Sequence, residues 1–153
     1  MIDASTVAAT WDRSPDGWRV SPGVPWCQAG ALVRIGPKVT IGEGATLGSL
    51  TQIVGYVSIG KRTALDEGVM IQSGVRIGAD ATIGRYAYIG ACVQVGAAVA
   101  IGGCALIQPH ATIGAGADIG EESEVCAFAT IEPDARIDEY VTVRRHALTY
   151  RSL

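Results

Sequence analysis

Aromatic side chains are scarce in this chain, with one Phe, three Trp and five Tyr among 153 residues. A core built on stacked aromatics is therefore excluded. Charge is also sparse, at 18% of residues with a net charge of −3. Nothing in that balance argues for a nucleic-acid partner or an anionic membrane surface. No apolar run approaches transmembrane length. The opening "MIDASTVAATWD" has neither a basic n-region nor an apolar h-region, so no signal peptide is expected. The four cysteines, Cys27, Cys92, Cys104 and Cys126, form no CxxC and no dense disulfide pattern. A reducing cytoplasm is the simplest location for such a chain.

What the chain has instead is a period. Every sixth residue from Ile35 to Val143 is Ile, Leu or Val, nineteen times without an insertion or deletion. The following residue is Gly in eleven of the nineteen hexads, and the residue four after each aliphatic is always Ala, Val, Thr or Ser. "IGEGAT" from Ile41, "IGADAT" from Ile77 and "IGAGAD" from Ile113 show the register. Six fits neither a helix of period 3.6 nor plain alternation. It fits a short strand plus a corner, repeated as a solenoid whose units bury their apolar side on one another.

Within a hexad the small residue and the next aliphatic are two apart, so both point inward, and the residue between them points out. The two residues after the Gly position form the corner. Pro37, Pro109 and Pro133 all fall at the first corner position, where proline is expected to remove no ladder hydrogen bond. The preceding Gly is expected to supply the positive φ of a sharp corner. Three hexads make one triangular coil of eighteen residues, so residues eighteen apart are neighbours. Arg62 is expected against Asp80, and Glu67 against Arg85. The eight carboxylates between Asp118 and Glu139 read as solvated surface rather than as a metal site.

This repeat resembles that of the bacterial hexapeptide-repeat superfamily, most of whose members are acyltransferases. The resemblance implies an all-β chain: a single-stranded left-handed parallel β-helix of about six triangular coils with no inserted loops. "IQSGVRIGAD" from Ile71 is locally similar to UDP-3-O-acylglucosamine N-acyltransferase. Domain limits follow as a capping segment over 1–28, the β-helix over 29–148 and a tail over 149–153. In the capping segment, "TWDRSPDGWRV" reads as a hairpin, with Asp12 and Arg19 able to pair and Trp11, Trp18 and Trp26 covering the first coil.

The outward residues sort into three faces. One shows Thr40, Ser58, Arg76, Gln94, Thr112 and Thr130, and a second shows Thr46, Ala64, Thr82, Ala100, Asp118 and Arg136. The third presents Met70, Tyr88 and Leu106 in one ladder, with Val54, Gln72, Gln108 and Cys126 in its usual Gly row. A contiguous apolar ladder marks an interaction surface. The resemblance implies a homotrimer with sites between subunits, so this face is the expected interface.

His110 borders that face. By resemblance it is the candidate general base of an acyl transfer from acyl-CoA, or acyl carrier protein, to a small amine or hydroxyl acceptor such as a sugar. No bound cofactor is expected. His110 stands three residues after Ile107, whereas lipid A N-acyltransferases carry theirs two after the aliphatic. Gln72 and Gln108 are candidates to orient the acceptor. Cys92, one coil before His110, is a candidate partner or nucleophile. The second and last histidine, His146, lies two coils from His110. The β-helical γ-class carbonic anhydrases, which use three zinc-binding histidines, are therefore disfavoured. The competing reading is a non-catalytic β-helix used for assembly or surface binding.

Overall fold

The computed structural model describes residues 32–149, together with the short strands β1 (Ile2–Asp3), β2 (Asp12–Arg13) and β3 (Arg19–Val20). From β4 (Arg34–Ile35) and β5 (Thr40–Ile41) onward, a two-residue strand recurs every six residues to Leu148–Thr149. The chain is an all-β parallel solenoid of about six turns with three sheets, and no helix among the described residues.

Each sheet collects every third strand, in the register expected for an eighteen-residue coil. Arg76 pairs with Ser58 and Gln94 on the first face, and Thr82 with Ala64 and Ala100 on the second. On the third face Met70 pairs with Tyr88, and Tyr88 with Leu106. β-Branched Ile and Val suit such strands because their stiff χ1 packs well on a pleated surface.

All nineteen repeat aliphatics are buried, and the small residues stack beside them into one continuous core. Each fully buried Ile contributes roughly 1.5–3 kcal/mol by removing apolar surface from water. Three inward positions are polar, and each is satisfied by its own turn or a nearby one. Thr51 Oγ1 donates to the Asp66 carbonyl at 3.2 Å, Thr63 Oγ1 donates to the Gly78 carbonyl at 2.9 Å, and Ser123 Oγ donates to the Gly120 carbonyl.

The corners differ from expectation in one respect. Left-handed backbone falls on the second corner residue, not on the Gly after the aliphatic. That position has positive φ in every described hexad, and it is occupied by sixteen non-glycine residues, among them Tyr56, Cys92, His110 and Phe128. Such residues are held there because the corner itself is laddered, as where His110 N–H donates to the Ala91 carbonyl at 2.9 Å. Where Gly follows the aliphatic, it makes room for the next coil instead. A Cβ at Gly78 would stand 2.5 Å from the Ala97 backbone nitrogen, one coil on. The proline expectation holds, since among the described residues no first-corner N–H takes part in the backbone ladder.

The N-terminal strands run against the solenoid. β1 pairs antiparallel with β5, β2 pairs with β3, and β3 pairs antiparallel with β4, so two sheets gain an antiparallel edge at this end. Asp12 stands opposite Val20 and Arg13 opposite Arg19, so Asp12 and Arg19 are diagonal neighbours. Trp11, Trp18, Trp26, the Ser-Pro-Asp-Gly turn and the last four residues lie outside the described residues. No helix of the described residues is long and apolar enough to cross a membrane.

Candidate functional site

His110 sits where the chain leaves the third face. The strand Leu106–Ile107 ends, Gln108 follows, Pro109 and His110 turn the corner, and Thr112–Ile113 begins the first face. With φ of 63° the His110 side chain is thrown outward, and it is exposed. Its imidazole lies nearly parallel to the Phe128 ring, with centroids 4.9 Å apart and planes 6° apart. Phe128 in turn stacks on His146 at 5.5 Å and 20°. The Arg145 guanidinium carbon stands 5.0 Å from the Phe128 centroid. The two histidines thus share one corner column with Phe128 between them, too far apart to hold a metal together. Among the described residues no group of three or more metal-ligating side chains is assembled.

The other candidates are placed unequally. Cys92 is an exposed free thiol in the same column, one coil before His110. Its sulfur packs toward Gly74 of the preceding coil, 3.1 Å from where a Cβ there would stand. Among the described residues no hydrogen bond joins it to His110. Gln72 is half-buried on the third face, and its carboxamide has no partner among the described residues. Gln108 is engaged at both ends. Its Nε2 donates to a Glu124 carboxylate oxygen, and its Oε1 accepts from the Ala127 N–H at 3.1 Å. Met70 and Leu106 are exposed, and Tyr88 between them is half-buried.

Phe128 and Arg145 are the residues around His110 that the sequence reading missed, and His146, placed there only by its two-coil separation, is tied to His110 through the Phe128 ring. Arithmetic could have found Phe128, since it is eighteen residues after His110 and eighteen before His146.

A separate shallow groove of about 590 Å³ lies on the second face, lined by Ala100, Asp118, Arg136, Asp138 and Tyr140 among others. Arg136 Nε stands 3.6 Å from Asp138 and 4.0 Å from Asp118, so part of the acidic run is paired.

No protein-family model matches the chain, and no curated protein matches it. Solved structures do. The chain superposes on a hexapeptide transferase family protein from Anaplasma phagocytophilum with a TM-score of 0.67 and 20% identity, over 72% of this chain and 68% of that one. The fold is that of the hexapeptide transferases. UDP-N-acetylglucosamine O-acyltransferase from Moraxella catarrhalis gives a TM-score of 0.67 at 15% identity, over 84% of this chain and 65% of its own. Perosamine N-acetyltransferase from Caulobacter crescentus, solved as a variant in complex with CoA and GDP-perosamine, gives 0.52 at 19% identity, over 85% of this chain. The chain spans 49% of that last protein's length.

Proposed function

We propose that the chain is an acyltransferase that works as a homotrimer. It moves an acyl group from acyl-CoA, or acyl carrier protein, to the amine or hydroxyl of a small acceptor such as an amino sugar. One observation carries the reading. The His110 imidazole is exposed, stacked against the Phe128 ring, and has no hydrogen-bond partner within the described residues, so both ring nitrogens are free for a substrate. It borders the face that carries the ladder Met70, Tyr88 and Leu106, where a neighbouring subunit would exclude water. The fold neighbours point the same way, since the Caulobacter protein holds CoA and a nucleotide amino sugar.

In this reading neutral His110 takes a proton from the acceptor as its nitrogen or oxygen attacks the thioester carbonyl. The tetrahedral intermediate then collapses, the carbon–sulfur bond breaks, and the imidazolium returns the proton to the departing thiolate. Backbone N–H groups stabilise the oxyanion. Gln72, whose carboxamide is free, orients the acceptor. Gln108 takes part only where substrate displaces its bond to Glu124. Cys92 is the alternative nucleophile, forming an acyl-enzyme with His110 as its base.

A second reading is favoured by the Phe128 stack, which accounts for His110 as a packing element of a corner ladder. In that case the solenoid is a non-catalytic assembly or binding module. Turnover of a panel of short acyl-CoAs by the purified protein separates the two. His110→Ala should lower the rate by about 10²–10⁴-fold, the usual contribution of a general base, and leave the melting temperature nearly unchanged. Loss of rate in Cys92→Ser would favour the acyl-enzyme route. A wild-type protein that neither binds nor turns over any donor leaves the assembly reading standing.

A further inference from the structure

We propose that Phe128 is a positioning residue for His110, holding the imidazole in one plane from the next coil. This rests on the general-base reading above. An exposed histidine on a corner would ordinarily sample several side-chain rotamers, and a base must bring one nitrogen within hydrogen-bond reach of its proton.

Here Gln108, Pro109 and His110 grip Ala127 and Phe128 at three consecutive points. Gln108 Oε1 accepts from Ala127 N–H at 3.1 Å, the Pro109 carbonyl accepts from Phe128 N–H at 3.3 Å, and the two rings lie 4.9 Å apart and 6° from parallel. Phe128 is backed in turn by His146 at 5.5 Å and by Arg145 at 5.0 Å. A ring stacked this flat covers one imidazole face and leaves both nitrogens on the open edge. The platform works through shape, so another flat ring can replace it and a branched aliphatic cannot.

The experiment compares Phe128→Leu with Phe128→Tyr in the full chain. Phe128 is 43% exposed, so neither change empties the core. Phe128→Leu should lower kcat with acyl-CoA by about 10- to 100-fold, the scale of a slightly misplaced reacting group. KM should move less than about twofold, because an interaction felt only in the transition state leaves ground-state binding alone. Phe128→Tyr should restore most of the lost rate. Independently of turnover, the carbon-bound imidazole protons of His110 should show a ring-current shift by NMR that disappears in Phe128→Leu. Full kcat in Phe128→Leu overturns the positioning role and leaves the base reading intact. An unchanged imidazole spectrum in that variant overturns the stack itself. A wild-type protein with no turnover of any donor removes both readings together.

Discussion

The third face with its two bounding corners and the remaining corner opposite share one interior and have little else in common. Nine large apolar side chains are well exposed among the described residues. Met70 and Leu106 lie on the third face, and Leu32, Leu50, Tyr56, Tyr86, Phe128 and Tyr140 lie on the corners that bound it, leaving only Leu148 elsewhere. The corner between the other two faces shows Gly44, Arg62, Asp80, Ala98, Gly116 and Asp134. Underneath, Ile89 and Ile113 are buried alike, whichever face they back. The repeat dictates the inside and leaves the outside free, so the outside is where the faces of this chain differ from one another. Exposed apolar side chains gathered on one face and its two corners, among polar ones such as Lys38, His110 and Glu122, are the feature on which the proposed interface rests.

The largest effect expected tests the shared interior. Ile89→Ala behind the apolar face and Ile113→Ala behind the polar one should each cost about 2–5 kcal/mol, the usual range for emptying a packed site. The two costs should be similar, as read by urea denaturation. A cost that depended on the face would mean that the interior is not uniform and that the contrast begins inside the core.

Next in size is the outward contrast. Leu106→Asp places an unpaired charge in the middle of the proposed contact, which burial would penalise. Sedimentation should show a trimer in the wild type and monomers in the variant, while Arg76→Asp on the first face should leave the assembly intact. A monomeric wild type would remove the interface argument, and with it the shelter proposed for His110.

Much of this was legible in the sequence because the hexad is so regular. The nineteen aliphatics, the register of eighteen and the composition of each face all follow from counting. What counting missed lies in how side chains lean across coils. Gly after the aliphatic was read as a conformational need, whereas the structure shows a collision with the next coil's backbone. Glu67 was expected to meet Arg85, but the hydroxyl that reaches its carboxylate is that of Tyr86, at 3.4 Å. Gln108 was read as a candidate to orient an acceptor, and its carboxamide is tied to the following coil. Period predicts which residues are neighbours; rotamers decide which of them touch.

The smallest effect belongs to the charged corner, where Arg62 and Asp80 did meet as the eighteen-residue spacing required. Arg62 Nε and Nη2 donate to the two Asp80 carboxylate oxygens at 2.6 and 2.8 Å. The Arg62 hydrogen bond, with its positive charge adding to it and desolvation opposing it, holds the Asp80 carboxyl below its ordinary value. A carboxylate depressed in the folded state contributes stability above its unfolded pKa and loses it as pH falls through the folded one. Melting temperatures of wild type and Arg62→Ala should therefore differ slightly at neutral pH and converge in acid. Both side chains are exposed, so salt should shrink the neutral-pH gap. A gap that persists once Asp80 is protonated would assign it to packing of the Arg62 stem over Gly44 rather than to charge. Wild-type assembly should show none of that salt dependence, since the contact that Leu106→Asp breaks is apolar. The two ends of the comparison are thus separable by titration and salt alone.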